Sequence, residues 1–440
     1  MAPDGSQGQR LYETSEGSAR DSYYFFPYGR RVAYVTNDGK GDSLVVRSVP
    51  FAPPVTIFPS FQFEKMGNGA WLPDGRFLYS DRCLTFVPPD APCNFWVERH
   101  DLETGKLIEA PRRLTNWIGS SLSGPSVASV GKRLAFARSS YRSVSYVAEL
   151  AAGSTRLFNS RRVTFEEKGM DAASDWTADS KTLIVVHNRS GEWKVYKQTL
   201  DSNEAQPVMA TTEAGGLEEA LVSPDQKWII AQNDPPENIG DTRATVRIMR
   251  VPMAGGSPEL IFTTRNGSLI SCPRNPSKSC VVAEESTDRK TMIVTAFDPV
   301  QGRGGELARF DLKPDANTGV NIDHLVLCRI SPDGTRLAIA RGSDGPIEIH
   351  SLRGQPTFTI RTPGLNKIVM FNWAADEKGL FVSRHLLGGY EISYVDLAGR
   401  THSLWTSHGG WCQSRPSPDG RNLAIYEVEK STNIWMMEDF

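Results

Sequence analysis

A four-residue turn phrase that returns at regular spacing constrains the fold of this chain more than any other feature. Its clearest copy is Ser-Pro-Asp-Gly at residues 331–334, followed by a strand-like run at 336–340. Pro presets the backbone of the turn, Asp can bond its own following backbone, and Gly adopts the left-handed conformation that other residues resist. A second turn at 342–345 and a second apolar run at 347–352 complete a predicted β-hairpin.

Copies of this hairpin recur along the chain. The aspartates of the turn copies are Asp74, Asp179, Asp225, Asp333, Asp376 and Asp419. Asp333 and Asp376 are 43 residues apart, as are Asp376 and Asp419, and 46 residues separate Asp179 from Asp225. A period of roughly 40 to 50 residues, with short strands in each repeat, is typical of propeller blades. The sequence therefore predicts an all-β fold, a single closed β-propeller of four-stranded blades over residues 1–440.

Nine repeats can be counted, and eight is the alternative. They start near residues 21, 69, 123, 171, 217, 269, 324, 367 and 411. The ninth repeat contains only three strands, so one outer strand is missing. The segment 9–14 (Gln-Arg-Leu-Tyr-Glu-Thr) resembles the fourth-strand runs at 112–115 and 161–164. We expect this segment to complete the last blade and close the ring, because closure leaves fewer strand edges unpaired.

The repeats resemble the TolB-type, WD-repeat-like propeller repeat, whose hallmark is the Ser-Pro-Asp-Gly turn. The phrases at 111–117, 295–299 and 433–440 resemble, more narrowly, the propeller regions of acidobacterial-type regulators. Those regions lie C-terminal to a serine/threonine kinase or winged-helix module. The resemblance covers essentially the whole chain and implies a binding or sensing part of a larger bacterial regulator. The kinase and DNA-binding parts are absent from these residues, so neither activity is implied for them.

Charge and hydropathy exclude several classes of partner. The 49 basic and 51 acidic residues give a formal net charge of -2, which provides no basic surface for nucleic acid. No window approaches eighteen uninterrupted apolar residues, so no membrane span is predicted, and residues 1–5 lack the pattern of a signal peptide. The expected partner is a protein or a small-molecule ligand, which the sequence does not identify.

Catalytic motifs are missing from the sequence. It contains no G-x-S-x-G elbow, no Walker A loop and no HExxH pair. The repeated turn aspartates are interpreted as caps of their own turns. We therefore expect no cofactor, no metal site and no enzymatic activity. Two alternatives remain open: a periplasmic TolB-like assembly scaffold, and a propeller enzyme that acts on glycans through carboxylates in its channel.

Four cysteines form two candidate disulfides. Cys83 and Cys93 lie at either end of a long loop in the second repeat, and Cys272 and Cys280 flank the turn of the sixth. Cross-strand neighbours satisfy the distances that a disulfide needs, so both bonds are predicted and the other two cysteines are expected to be buried thiols. Paired cysteines indicate an extracytoplasmic or periplasmic compartment. If all six are reduced, a cytoplasmic location is the alternative.

Aromatic residues in loops are the candidates for a binding face, since recognition residues concentrate on the loops of a rigid scaffold. These candidates are Phe86, Trp117, Tyr141, Tyr390 and Trp411. The two longest loops, 81–94 and 233–242, are the predicted contact surfaces.

Overall fold

The computed structural model describes most of the chain. The described residues are 19–25, 31–37, 42–48, 53–59, 66–81, 92–164, 170–189, 192–202, 205–210, 216–234, 245–265, 267–276, 278–287, 290–311, 326–342, 344, 346–362 and 364–440. These residues form antiparallel strands, with a single short 3-10 helix at Ala152–Ser154. Within them, no helix is long and apolar enough to cross a membrane. The fold is thus all-β, as the repeat pattern predicts.

The chain divides into two compact units. The small unit comprises Met1–Tyr141 and Ser431–Phe440, and the large unit comprises Arg142–Lys430. The small unit begins with two four-stranded sheets. The first contains β1 (Ala19–Phe25), β2 (Arg31–Asn37), β3 (Asp42–Ser48) and β4 (Val55–Phe58), and the second contains β5 (Met66–Trp71), β6 (Phe77–Asp81), β7 (Phe95–His100) and β8 (Leu107–Arg113).

A third sheet of the small unit is built on β9 (Ser121–Val127) and the first part of β10 (Arg133–Leu150). The last part of the final strand, β33 (Asn422–Glu438), pairs with β10 in this unit, where Ser139 and Thr432 share a hydrogen bond of 2.8 Å. Apolar side chains fill both spaces between the three sheets. Phe58 and Phe77 pack between the first two sheets, and Phe95 and Phe136 between the second and the third.

The large unit contains five further consecutive sheets and a sixth that combines both ends of the unit. The consecutive sheets are β12 (Met170–Trp176) to β15 (Ala205–Ala210), β16 (Gly216–Val222) to β19 (Glu259–Arg265), β20 (Leu269–Ser271) to β23 (Gly302–Asp311), β24 (Val326–Ile330) to β27 (Phe358–Ile360), and β28 (Ile368–Trp373) to β31 (Thr401–Ser407). The sixth has the order β11 (Leu157–Arg162), β10, β33, β32 (Cys412–Pro416).

The middle strands of the five consecutive sheets are β13 (Thr182–Arg189) and β14 (Glu192–Thr199), β17 (Trp228–Asp234) and β18 (Thr245–Pro252), β21 (Cys280–Glu285) and β22 (Thr291–Asp298), β25 (Arg336–Arg341) and β26 (Ile347–Ser351), and β29 (Gly379–Leu386) and β30 (Gly389–Asp396). Each sheet is a meander of hairpins, with a regular register such as Leu337 opposite His350.

Six apolar clusters show that these six sheets close into a ring. Every pair of consecutive sheets in the large unit shares one cluster of buried side chains. The sixth cluster joins the last sheet back to the first, because Val147 and Ala424 pack there with Ala173, Trp176 and Leu183. Sheets that pack face to face around a closed ring are the blades of a propeller. The large unit is therefore a six-bladed propeller.

The structure does not confirm a single closed ring of nine blades. Six sheets close among themselves, and the chain divides into two units instead of one. The segment 9–14, expected to complete the last blade, lies outside the described residues. In the sixth sheet of the large unit, the place beside β33 is taken by β10, which supplies the strand that the ninth repeat lacks.

The turn phrase has the local chemistry that its residues predict. Ser331 Oγ donates to Asp333 Oδ1 at 2.6 Å and accepts from the amide of Arg336 at 3.0 Å. The amide of Gly334 donates to the carbonyl of Ser331, and Gly334 has a φ of +73°. The aspartate thus caps its own turn, as interpreted from the sequence.

Candidate functional site

The innermost strand of each sheet lines the centre of the large unit. In the five consecutive sheets this is the first strand of the sheet along the chain, and in the sixth sheet it is β32. Strand β12 contacts β16 and β32, and β28 contacts β24 and β32, so the first strands are neighbours across the sheets. A cavity of about 150 Å³ lies at the end where these strands enter their turns. Each of the six sheets contributes to the wall of the cavity a residue near the end of its innermost strand. The six residues are Asp175, Leu221, Ile270, Arg329, Asn372 and Arg415.

Two of these arginines share one carboxylate. Glu219 lies on β16, and its Oε1 accepts hydrogen bonds from Arg415 Nη2 and from Arg329 Nη2, the latter at 3.3 Å. Arg415 Nη1 also donates to Asn372 Oδ1 at 2.6 Å, and Asn372 Nδ2 donates to the carbonyl of Ser414 at 2.8 Å. Four sheets of the ring are therefore connected through one buried polar network, because Glu219, Asn372 and the two arginines come from four different blades.

A third arginine enters the cavity from the loop after β20. Arg274 forms an ion pair with Asp175, with a second contact from Arg274 Nη1 to Asp175 Oδ2 at 3.3 Å. The same carboxylate accepts from the backbone amide of Val222 at 2.8 Å. Asp175 is therefore held on two sides, which leaves the guanidinium of Arg274 as the more exposed partner at 28% of its side chain.

The network is positively charged. The described residues in and beside the cavity include three guanidinium groups (Arg274, Arg329 and Arg415) and two carboxylates (Asp175 and Glu219). Burial lowers the pKa of Arg329 to about 10 and also lowers the pKa of Arg415. The guanidinium group of arginine keeps its proton in proteins, so both side chains are cations. The Nε atoms of Arg329 and Arg415 are buried and have no hydrogen-bond partner among the described residues. A buried cation with an unused donor favours an anionic ligand, because an unpaired donor in a low-dielectric site is costly.

Two tryptophans hold the backbone of these arginines. Trp373 Nε1 donates to the carbonyl of Arg329 at 3.0 Å, and Trp176 Nε1 donates to the carbonyl of Arg415 at 2.9 Å. Each tryptophan stands immediately after a strand position that lines the cavity and bonds to the preceding blade. The bonds fix the spacing of adjacent first strands, so the guanidinium groups project from a rigid frame.

The chemistry that this arrangement supports is electrostatic recognition. Arginine presents planar donors that match carboxylate and phosphate oxygens. Both carboxylates, Asp175 and Glu219, form ion pairs with guanidinium groups. Among the described residues, no group of three or more His, Cys, Asp or Glu side chains is arranged to hold a metal ion.

The predicted disulfides fall in both units. Cys272 and Cys280 are bonded to each other in the large unit, and Cys272 lines the cavity. The bond closes the short loop that carries Arg274. Cys93 is also disulfide-bonded, and its predicted partner, Cys83, lies outside the described residues. The two remaining cysteines are free and buried.

The candidate aromatic residues do not converge on the cavity. Phe86 lies outside the described residues. Trp117 and Tyr141 belong to the small unit, Tyr390 and Trp411 belong to the large unit, and all four are partly buried. None of these four lines the cavity, and their role in binding stays a prediction. Most of the two long loops predicted as contact surfaces also lies outside the described part of the chain.

The sequence contains a signal for the cavity at a position just before each turn phrase. Four residues before the turn aspartate, the copies carry Asp175, Leu221, Arg329, Asn372 and Arg415. A strand at the centre of a propeller is expected to carry apolar residues there, so an arginine at this position indicates a polar channel. Glu219 had no such signal, because its partners are 110 and 196 residues away in the sequence.

Comparison with known proteins shows distant structural similarity. No protein family and no curated protein matches the sequence. TolB from Agrobacterium tumefaciens is similar in structure, with a TM-score of 0.47 and 15% identity over 66% of this chain and 99% of that one. An oligogalacturonate lyase in complex with manganese has a TM-score of 0.38 and 12% identity over 90% and 96% of the two chains. The Dos1 propeller has a TM-score of 0.30 and 12% identity over 94% and 93%.

Proposed function

We propose that this protein is a non-enzymatic binding or sensing module whose large unit takes up an anionic group in its channel. The observation that carries the proposal is the pair of buried arginines, Arg329 and Arg415, on equivalent strands of two blades. Among the described residues, the Nε of each guanidinium group has no hydrogen-bond partner, and one carboxylate, that of Glu219, accepts from both groups. A carboxylate or phosphate oxygen from a ligand would complete their hydrogen bonds.

The size of the cavity limits what can enter. About 150 Å³ accommodates a carboxylate and a few neighbouring atoms, while the rest of a ligand would lie on the face of the ring outside it. Pro332, Pro416 and Pro418 form part of the rim, and these rigid residues keep the opening in place without reorganisation on binding. The ligand class is therefore a molecule with a projecting acidic group, either a small organic acid or an acidic residue of a partner protein.

The engaged carboxylates support binding over catalysis. A glycan-cleaving propeller needs one carboxyl group as an acid and another as a base or nucleophile. Asp175 is paired with Arg274 and Glu219 with two arginines, so the oxygens of both carboxyl groups are already occupied by donors of the protein. A TolB-like assembly scaffold remains compatible with the same cavity, since an acidic side chain of a protein partner has the chemistry that the arginines recognise.

The disulfide supports a location outside the cytoplasm. A bond between Cys272 and Cys280 forms and persists in an oxidising compartment. This location agrees with a sensing part of a larger bacterial regulator, linked to a kinase or winged-helix module as the repeat phrases imply.

The experiment is a thermal-unfolding titration of the whole protein with succinate, glucuronate and inorganic phosphate. A ligand that binds only the folded state raises the Tm, and the increase grows with the logarithm of the ligand concentration above its Kd. We expect at least one of these anions to raise the Tm at low salt and to lose most of this effect at high salt, because salt screens charges. The Arg415→Gln variant should lose the response.

Arg421→Gln is the matched control. Arg421 lies in the turn between β32, which carries Arg415, and β33, and its side chain is 85% exposed, so the variant should respond like the unaltered protein. If no anion raises the Tm, or if Arg415→Gln responds fully, the channel is not an anion site. Release of shortened products from an oligomeric sugar acid would instead favour the glycan-cleaving enzyme.

A further inference from the structure

A second cavity, of about 270 Å³, lies in the small unit between the sheet β1–β4 and the sheet β5–β8. Its wall combines three aromatic rings with three ionisable side chains: Phe58, Tyr79, Trp96, Asp81, Glu98 and His100. The described lining contains no lysine or arginine. This composition is opposite in charge to the channel of the large unit.

The cavity arises from strand alternation and from the length of β4. Along β7, Phe95 and Val97 face the apolar cluster shared with the third sheet, so Trp96, Glu98 and His100 point to the opposite face. That face is covered by the sheet β1–β4, whose outer strand β4 is only four residues long. This strand supplies Phe58 to the wall of the cavity.

Glu98 and His100 form a buried hydrogen-bonded pair. His100 Nδ1 lies 3.2 Å from the carbonyl of Gly105, which can only accept, so Nδ1 carries a hydrogen. His100 Nε2 lies 2.7 Å from Glu98 Oε1, and this contact needs one more proton, on either group. Both side chains are 5% exposed. The pair therefore carries no net charge, whichever of the two groups holds that proton.

The other polar groups add negative charge to the wall. Tyr79 Oη donates to Glu98 Oε2 at 3.3 Å, and burial together with the carboxylate of Glu98 raises the pKa of Tyr79, so it stays a donor. Asp81 accepts from Trp96 Nε1 at 2.7 Å and from the amide of Asn94 at 2.8 Å. These bonds fix the positions of the Asp81 side chain and of the indole ring.

We propose that this cavity binds a small organic cation, an ammonium or guanidinium group no larger than the end of a lysine or arginine side chain. Aromatic faces attract cations through their quadrupoles, and carboxylates beside them add long-range attraction. Phe58 already lies against the His100 ring, with 4.8 Å between ring centroids. The same chemistry can come from a free amine or from a basic side chain of a partner protein, and the test separates these sources.

The test is calorimetric titration of the whole protein with n-butylammonium, methylguanidinium and short capped peptides that contain one lysine or one arginine. Sodium chloride replaces the probe in the reference titration, so that only specific binding is measured. We expect saturable binding that weakens about tenfold in Glu98→Gln and about tenfold in Trp96→Leu, which remove a charge and an aromatic face. Trp96 fluorescence should change on binding in the unaltered protein.

Glu109→Gln is the matched control. Glu109 lies on the neighbouring strand β8, pairs with Arg99 and is outside the lining, so this variant should bind like the unaltered protein. Arg415→Gln should also bind the cations normally, which separates this proposal from the channel of the large unit. Stronger binding of the free amines than of the peptides would identify a small-molecule ligand, and the reverse would identify a protein side chain.

Two results would overturn the proposal. One is the absence of saturable binding by all four probes in the unaltered protein. The other is binding that neither Glu98→Gln nor Trp96→Leu weakens, provided that both variants have the circular dichroism of the unaltered protein. If Glu98→Gln fails to fold, the test depends on Trp96→Leu alone. This variant is expected to fold, because Trp96 is only partly buried.

Discussion

Glu219 is the residue on which the charge balance of the channel depends. Its carboxylate lies between Arg329 and Arg415, whose side chains are 4% and 10% exposed. Taking such charges out of water costs several kcal/mol per ion, and the mutual attraction offsets this only while the partners stay together. The arginines are therefore tolerated in the interior because Glu219 is present.

Glu219→Gln should lower the free energy of unfolding by about 3 kcal/mol, since it leaves two buried guanidinium groups without their carboxylate. Urea denaturation measures the change. The control is Glu306→Gln, where an exposed carboxylate pairs with Arg309 three residues away, and the expected change in the free energy of unfolding is much smaller because solvent screens the pair. Equal stability of the two variants would contradict the role assigned to Glu219.

The sequence predicts the turns better than the channel, because the interactions within a turn join residues that are close in sequence and those in the channel join residues that are far apart. Ser331, Asp333 and Gly334 interact within a few residues, so the pattern contains the whole structural unit. Glu219 and Arg415 become neighbours only after the ring has closed, and no local pattern connects them. The tryptophan ahead of the turn was visible in the sequence, but its bond to the preceding blade was not.

At the scale of the element, the capped turn is the repeating source of stability. Burial by itself raises the pKa of Asp333, but hydrogen bonds from Ser331 and Thr335 outweigh burial and bring it below its ordinary value of 3.8. A carboxyl group whose pKa is lower in the folded state stabilises that state above its ordinary pKa. This contribution is lost as the pH falls through the pKa of the folded state.

Asp333→Ala should therefore lower the free energy of unfolding by about 1 kcal/mol at neutral pH, a value reduced for solvent screening. The difference in the free energy of unfolding between the variant and the unaltered protein should become smaller as the pH falls below 3.8. Urea denaturation across this range measures both effects. Asp376→Ala is the control, because Ala374 replaces the serine of that turn and Asp376 accepts from the amide of Lys378 at 3.1 Å, so the expected loss is smaller.

The disulfide acts on the loop that carries Arg274. Replacing Cys272 and Cys280 together by alanine should lower the free energy of unfolding by about 2 to 3 kcal/mol, because the bond closes a loop with a sequence separation of 8 residues. The same double variant should bind anions more weakly, since Arg274 is then less restrained. Denaturation and the anion titration measure the two effects, and unchanged values in both would show that the bond has no role at the cavity.

At the scale of the whole molecule, the two compact units are defined by which sheets close into a ring, and not by the number of repeats in the sequence. The repeats look alike along the sequence, so their pattern favours one ring. Packing shows instead that six sheets form a continuous cycle of shared apolar clusters. The pairing of β10 with β33 decides this division, and it joins residues as distant as Ser139 and Thr432, 293 positions apart. Such a pairing depends on global packing, which the turn phrases do not encode.

The fragment 142–430 should fold without the rest of the chain. It contains all six clusters of the closed ring and the first part of β33 with the second part of β10. We expect the circular dichroism of a β-protein, a cooperative unfolding transition and the same response to anions as the full chain. An aggregated or non-cooperative fragment would show that the ring depends on residues outside 142–430.

The continuity of β10 and β33 also determines when the protein can become complete during synthesis. Strand β10 leaves the ribosome long before its partner β33. At about 5 to 20 residues per second, the 293 positions between Ser139 and Thr432 take roughly 15 to 60 seconds to translate. Throughout that time both units lack a strand. A premature stop codon before residue 422 would therefore leave the two units incomplete together.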